Sequence, residues 1–167
     1  MSPLVIPIQT DRSELLLKID ACDLANTFDD PADMQKMGTS EVCDVSLERV
    51  SDYSGVDHKA LHLISHMLFD FITQNPDNII YFYCDDLHDL QRSQKNAKIT
   101  PQEYRSRLFS ALFAQETKHQ GTEGYIDDVI SFEVDGVPRF IHLIYGRENT
   151  AKADVLKNAM AVLCAKP

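Results

Sequence analysis

The alternation of apolar and polar positions is clearest from Glu41 onward, where Cys43, Val45 and Leu47 are separated by Asp44, Ser46 and Glu48. Side chains two residues apart share a face of an extended chain, so this stretch predicts a strand with one wet face. The period then changes. Over Val56 to Gln74, Leu61, Ile64, Leu68, Phe71 and Ile72 recur at helical spacing as one apolar stripe, and Asn75-Pro76-Asp77 stops the helix. Leu63, Met67 and Phe69 fall outside the stripe. A helix that is apolar on several sides is either deeply buried or shared with a partner. Ile79 to Cys84 is apolar at nearly every position, as in a central strand covered on both faces.

A polar connection, Asp85 to Thr100, leads to a second helix. Thr100 is placed to cap it, Pro101 suits its first turn, and Glu103 stands where a capping-box partner belongs. This helix runs to about Lys118 and ends before Gly121. Val129 to Val134 and Val137 to Tyr145 flank Asp135-Gly136, a dipeptide typical of a tight hairpin turn. Asn149 or Thr150 then caps a last helix with Ala153, Leu156, Met160 and Leu163 on one side.

Residues 1–40 read as an irregular acidic segment ahead of a core at 41–167. Ser13 to Asp20 is a strand candidate within it. Cys22 to Ser40, with Asp23, Asp29, Asp30 and Asp33 around Pro31, reads as loop with one helical turn. Those acids lack the ligand spacing of an EF-hand calcium loop. The prediction is a single domain of α+β (mixed α/β) class: about five strands in a mixed sheet, packed by three helices, ending in a β-hairpin and a C-terminal helix. Its two strand-helix-strand units predict parallel neighbours.

Composition narrows the function classes. The chain has 167 residues and a formal net charge of -10, which argues against nucleic-acid binding, since that draws on clustered Lys and Arg. No stretch approaches the ~18 apolar residues of a membrane span. The N-terminal residues lack the basic start and long apolar run of a secretory signal. Cys22, Cys43, Cys84 and Cys164 are far apart, without a Cys-x-x-Cys pair. Together these features predict a cytoplasmic protein with free thiols. No phosphate loop, dinucleotide fingerprint or nucleophile elbow is present, and no cofactor is expected.

Three groups of residues carry candidate chemistry. The first is the junction after the apolar strand, Asp85, Asp86, His88 and Asp89, where carboxylates and an imidazole could hold a divalent cation for phosphodiester hydrolysis. The second is Arg105. At ~100° per residue it falls in the middle of the face carrying Tyr104, Leu108, Phe109, Leu112 and Phe113, while Arg107 points away. A guanidinium aimed at a core must snorkel out or meet a carboxylate, and Asp85 is the expected partner. The third is the row His58, His62, His66 and Asp70. Its four-residue spacing suits a metal, yet the row lies opposite the apolar stripe, and no metal site is expected there.

Asn75-Pro76, the strand ending in Cys84-Asp85, and Gln102-x-x-Arg105-x-Arg107-Leu108-Phe109 resemble a small domain-of-unknown-function family found chiefly in Bacteroidetes. The resemblance extends from about Glu41 to the C-terminal helix. Two features depart from the family pattern: the connection after Asp85 is longer, and the aromatic pair late in the helix is replaced by Leu112-Phe113. The resemblance implies the fold and the Asp85–Arg105 pairing, and implies no activity. The function expected is a non-catalytic interaction module, as a homodimer or with a protein partner. The alternatives are a metal-dependent phosphoesterase or nuclease at Asp85, Asp86, His88 and Asp89, and a binder of a small anionic ligand centred on Arg105 and Arg107, which requires a concave pocket beside Asp85.

Overall fold

The computed structural model describes residues 2–22, 28–52, 57–84, 98–121 and 123–165. Among them are six strands in one mixed sheet and four α-helices, one strand and one helix more than the hydrophobic pattern predicts. In chain order these are β1 (Leu4–Gln9), β2 (Glu14–Ala21), α1 (Pro31–Met37), β3 (Val42–Arg49), α2 (His58–Gln74), β4 (Ile79–Cys84), α3 (Pro101–Gln120), β5 (Tyr125–Val134), β6 (Val137–Gly146) and α4 (Thr150–Ala165). The sheet runs β1-β2-β3-β4-β6-β5.

The extra elements lie in the first 40 residues, where the sequence reads as irregular. β1 is an edge strand paired to β2, and Pro7 within it stands opposite Leu16. A proline cannot donate to a ladder and is tolerated where one side of the strand is unpaired. That proline is why the stretch resists a strand assignment. α1 runs to two turns because its ends are well closed. The Asp30 carboxylate accepts from the Ala32 amide at 2.8 Å, Pro31 follows, and Gly38 takes φ 60 at the C-terminal end. Two of the N-terminal acids thus have structural partners, since Asp33 pairs with Lys36 at 2.6 Å.

β3 and β4 are parallel, as a strand-helix-strand unit requires, with α2 as the crossover. The second such unit departs from expectation. β4 pairs antiparallel with β6, and β5 lies outside β6 at the edge. The Asp135-Gly136 turn explains this exchange. With φ of 52 and 76 at its two central residues, it folds β5 and β6 into a tight hairpin that enters the sheet as one unit, β6 innermost.

Each face of the sheet has its own core. On one, Ile8, Leu17, Val45 and Ile80 meet α2 and α3 through Ile64, Leu68, Phe69 and Phe113. On the other, Val42, Ile79, Leu143 and Tyr145 meet α1 and α4 through Met37, Leu156 and Met160. β4 contributes to both, which accounts for its unbroken apolar run. α4 is also fastened by Lys157, which reaches Asp128 at 2.6 Å and Asp154 at 2.8 Å, while the Tyr145 hydroxyl donates to Asp128 at 3.1 Å. Burial and the neighbouring Asp128 push the Tyr145 phenol up to about 12.

Much of the apolar breadth of α2 is covered inside the chain. Phe69 is 1% exposed, its ring 6.0 Å from Phe113 and 5.5 Å from Tyr125. Met67 packs against the same core, and Leu63 is left 39% exposed. No helix among the described residues is long and apolar enough to cross a membrane. Truncating Phe69 to Ala should therefore cost about 3–5 kcal/mol in urea unfolding, and Leu63→Ala well under about 1 kcal/mol. Equal costs would contradict the burial of this helix between the sheet and α3.

Candidate functional site

Four residues of β3 pair with four of β4, ending at Val45 opposite Phe82. Past that point the strands part. β3 stays with β2 as far as Arg49, and β4 stays with β6 as far as Cys84. The gap opens at the carboxyl ends of two parallel strands, the place where open α/β sheets bind ligands. A cavity of about 330 Å³ occupies it, roofed by the N-terminal halves of α2 and α3.

Strand alternation decides what faces this crevice. Cys43, Val45, Leu47 and Arg49 share one face of β3, so the last residue of an apolar row is a cation. Phe82 and Cys84 do the same from β4. From above, Leu61 and Ile64 of α2 and Leu108, Phe109 and Leu112 of α3 close over them. Arg105 joins these α3 residues because it stands three and four positions from Leu108 and Phe109. Both arginines are half-buried.

The acids along the crevice are differently committed. Asp57 caps α2 and is buried, its carboxylate accepting from the Ala60 amide at 3.2 Å, from the Ser13 hydroxyl at 2.5 Å and from Thr10. Burial works to raise its pKa. The bonds from Ser13, Thr10 and the Ala60 and Lys59 amides outweigh that and hold the carboxyl below its ordinary value. Asp44, opposite Asp20 across the ladder, is raised by burial and by that neighbouring charge. No carboxylate among the described residues pairs with Arg49.

The other residues singled out from sequence fall elsewhere. Asp85, Asp86, His88 and Asp89 lie outside the described residues, and with them the Asp85–Arg105 pairing. Arg107 is on the surface, bound to Glu103 at 2.5 Å. That contact also explains why only half of the expected capping box forms: the Thr100 hydroxyl accepts from the Glu103 amide at 3.3 Å, while the Glu103 carboxylate turns to Arg107. His58, His62 and His66 are exposed along α2. His66 stands 3.4 Å from Asp70 and 3.5 Å from Glu116. Among the described residues no group of three or more His, Cys, Asp or Glu side chains is gathered to hold a metal ion.

A polar network that sequence reasoning missed lies behind the crevice. The His142 ring nitrogens face Asp127 at 2.7 Å (Nδ1) and Ser106 at 2.8 Å (Nε2), and the Ser110 hydroxyl donates to the second Asp127 oxygen at 2.6 Å. A carboxylate only accepts, so Nδ1 carries the proton, and in the neutral ring Nε2 accepts from Ser106. The order is that of a nucleophilic triad. Its surroundings are not. His142 is fully buried and Ser106 is 4% exposed. The Phe109 ring lies 5.0 Å from the imidazole and stacks on Phe82 at 4.7 Å, and Ser106 is not among the residues that line the crevice. The network instead ties α3 to β5 and β6. The available signal was His142 alone within the apolar run Phe140 to Ile144, and its partners are 15 and 36 residues away.

No family model, curated protein or solved structure matches the chain.

Two outcomes check this description. Ser106→Ala removes the Nε2 partner from a fully buried imidazole and should destabilise the protein by about 1–3 kcal/mol in urea unfolding. A change within about 0.3 kcal/mol would show the network to be idle. Because the Asp57 pKa is lowered on folding, its contribution is complete above the unfolded value of about 3.9 and is lost as pH falls through the folded one. The stability gap between wild type and Asp57→Asn should thus be widest near pH 7 and close below about pH 4. A gap that widens on acidification would reverse the sign.

Proposed function

We propose that this protein is a non-catalytic binding module that takes a small anionic ligand in the crevice between β3 and β4. The observation that carries the reading is the crevice itself, at about 330 Å³ with two arginines in its wall. That volume falls within the range of small-molecule sites. A guanidinium beside an apolar wall attracts an anion more strongly than one in water, because the local dielectric is lower. Arg49 and Arg105 come from different elements, so an anion between them would be gripped from β3 and α3 together.

The main competing reading is an interaction module that docks through α2. Its sequence basis was the apolar breadth of that helix, and Phe69 and Met67 are covered within the chain. The phosphoesterase reading rests on Asp85, Asp86 and Asp89 and draws no support from the described residues.

Calorimetry with inorganic phosphate, benzoate and octanoate tests the proposal. At least one should bind with a Kd below about 1 mM, a free energy of about -4 kcal/mol. Leu108→Trp, which fills the crevice, should weaken that binding at least tenfold while the thermal unfolding transition stays cooperative. No binding by any of the three, or binding indifferent to the filled crevice, would refute it.

A further inference from the structure

The walls of the crevice restrict the ligand's chemistry further, on the premise that the crevice is a binding site at all. Most of the wall that carries Arg49 and Arg105 is apolar, with Leu47, Leu61, Ile64, Phe82, Leu108 and Leu112 among its residues. A sugar or an inorganic anion buried there would exchange most of its bonds to water for a largely hydrocarbon wall, at a cost that the few polar side chains repay only in part. A chain or ring of carbon would gain with every methylene removed from water. Asp44, Ser46 and Tyr83 border the cavity as well. The space is therefore a slot between two strand edges with cations in its wall.

The two arginines differ in their surroundings. Arg49 closes the apolar row of β3 beside Leu15, with no carboxylate pairing among the described residues. Arg105 sits a turn into α3, below Thr100, which caps the helix with an uncharged hydroxyl. The helix dipole at that end adds to the attraction for negative charge. Asp57, the acid at the start of α2, has its charge occupied by Ser13, Thr10 and the first-turn amides. The lining is thus an apolar slot with Arg49 and Arg105 in its wall and Asp44 among the residues that border it. Guanidinium groups fit a planar carboxylate with two parallel hydrogen bonds.

We infer that the ligand is an amphipathic carboxylate: a medium-length aliphatic or aryl-aliphatic acid whose hydrocarbon body fills the slot and whose carboxylate meets Arg49 and Arg105. Hydrophilic phosphates and nucleotides are poor occupants. No bond is made or broken; the site holds the acid and releases it.

The test is a calorimetric ladder of hexanoate, octanoate and decanoate, set against octan-1-ol and inorganic phosphate. The acids should tighten by about fourfold per methylene until the slot is full. Arg49→Gln and Arg105→Gln should each weaken octanoate about tenfold or more and leave octan-1-ol unchanged. Arg49→Lys should restore part of the loss, and circular dichroism identifies any variant that has failed to fold. If phosphate binds as tightly as octanoate, or affinity ignores chain length, the carboxylate assignment is wrong while the crevice remains a site. If neither acid, alcohol nor phosphate binds, the proposed function falls with it.

Discussion

Hydrogen bonding between β3 and β4 stops after Val45 and Phe82, and each strand then continues with a different neighbour. Parallel strands joined by a helix must begin together, because the crossover returns the chain to the same end of the sheet. Nothing requires them to finish together. Here β2 holds the end of β3 and the β5–β6 hairpin holds the end of β4, and the space between them is left to side chains. Since α2 and α3 pack on the same face, their N-terminal halves roof that space rather than fill it. The crevice is thus a consequence of topology, and the residues that line it are fixed by two periodicities, two along the strands and 3.6 along the helices.

Rigidity around the crevice comes from polar groups that are otherwise unused. Asp57 joins the β1–β2 connection, through Thr10 and Ser13, to the first turn of α2. On the far side, Ser106 and Ser110 join α3 to His142 and Asp127 on the hairpin. Each helix that roofs the slot is therefore pinned by a carboxylate within or near its first turns. Phe109 touches both systems, stacked on Phe82 beside the slot and set steeply against the His142 imidazole. A fully satisfied network of this kind favours one arrangement of helix on sheet over its neighbours, because every alternative strands a buried donor or acceptor.

Much of this is legible in the sequence. The alternation in β3, the stripe of α2, the Thr100-Pro101 start of α3 and the Asp135-Gly136 turn each report a local preference, and each was realised. So was the direction of Arg105, since a helical wheel needs only the period. β1 was hidden because Pro7 contradicts a strand unless the strand is known to be an edge, and edges are a property of the whole sheet. The parting of β3 from β4 was hidden for a similar reason: the alternation continues through Leu47 and Arg49 whether or not a partner is present. The excess apolarity of α2 was visible, and its meaning was not. A helix covered by a second helix and a helix covered by another protein have the same sequence signature, and only the contact of Phe69 with Phe113 and Tyr125 separates them.

The central claim is that the slot between β3 and β4 is occupied by a ligand with an apolar body. Methyl resonances observed during a titration with octanoate test it most directly, since methyl groups line both faces of the sheet. The account predicts saturating shifts for Leu47, Leu61, Ile64 and Leu108, and none for Ile141, Leu143 and Leu156 on the opposite face. Shifts spread over both faces, or confined to the second one, would contradict it.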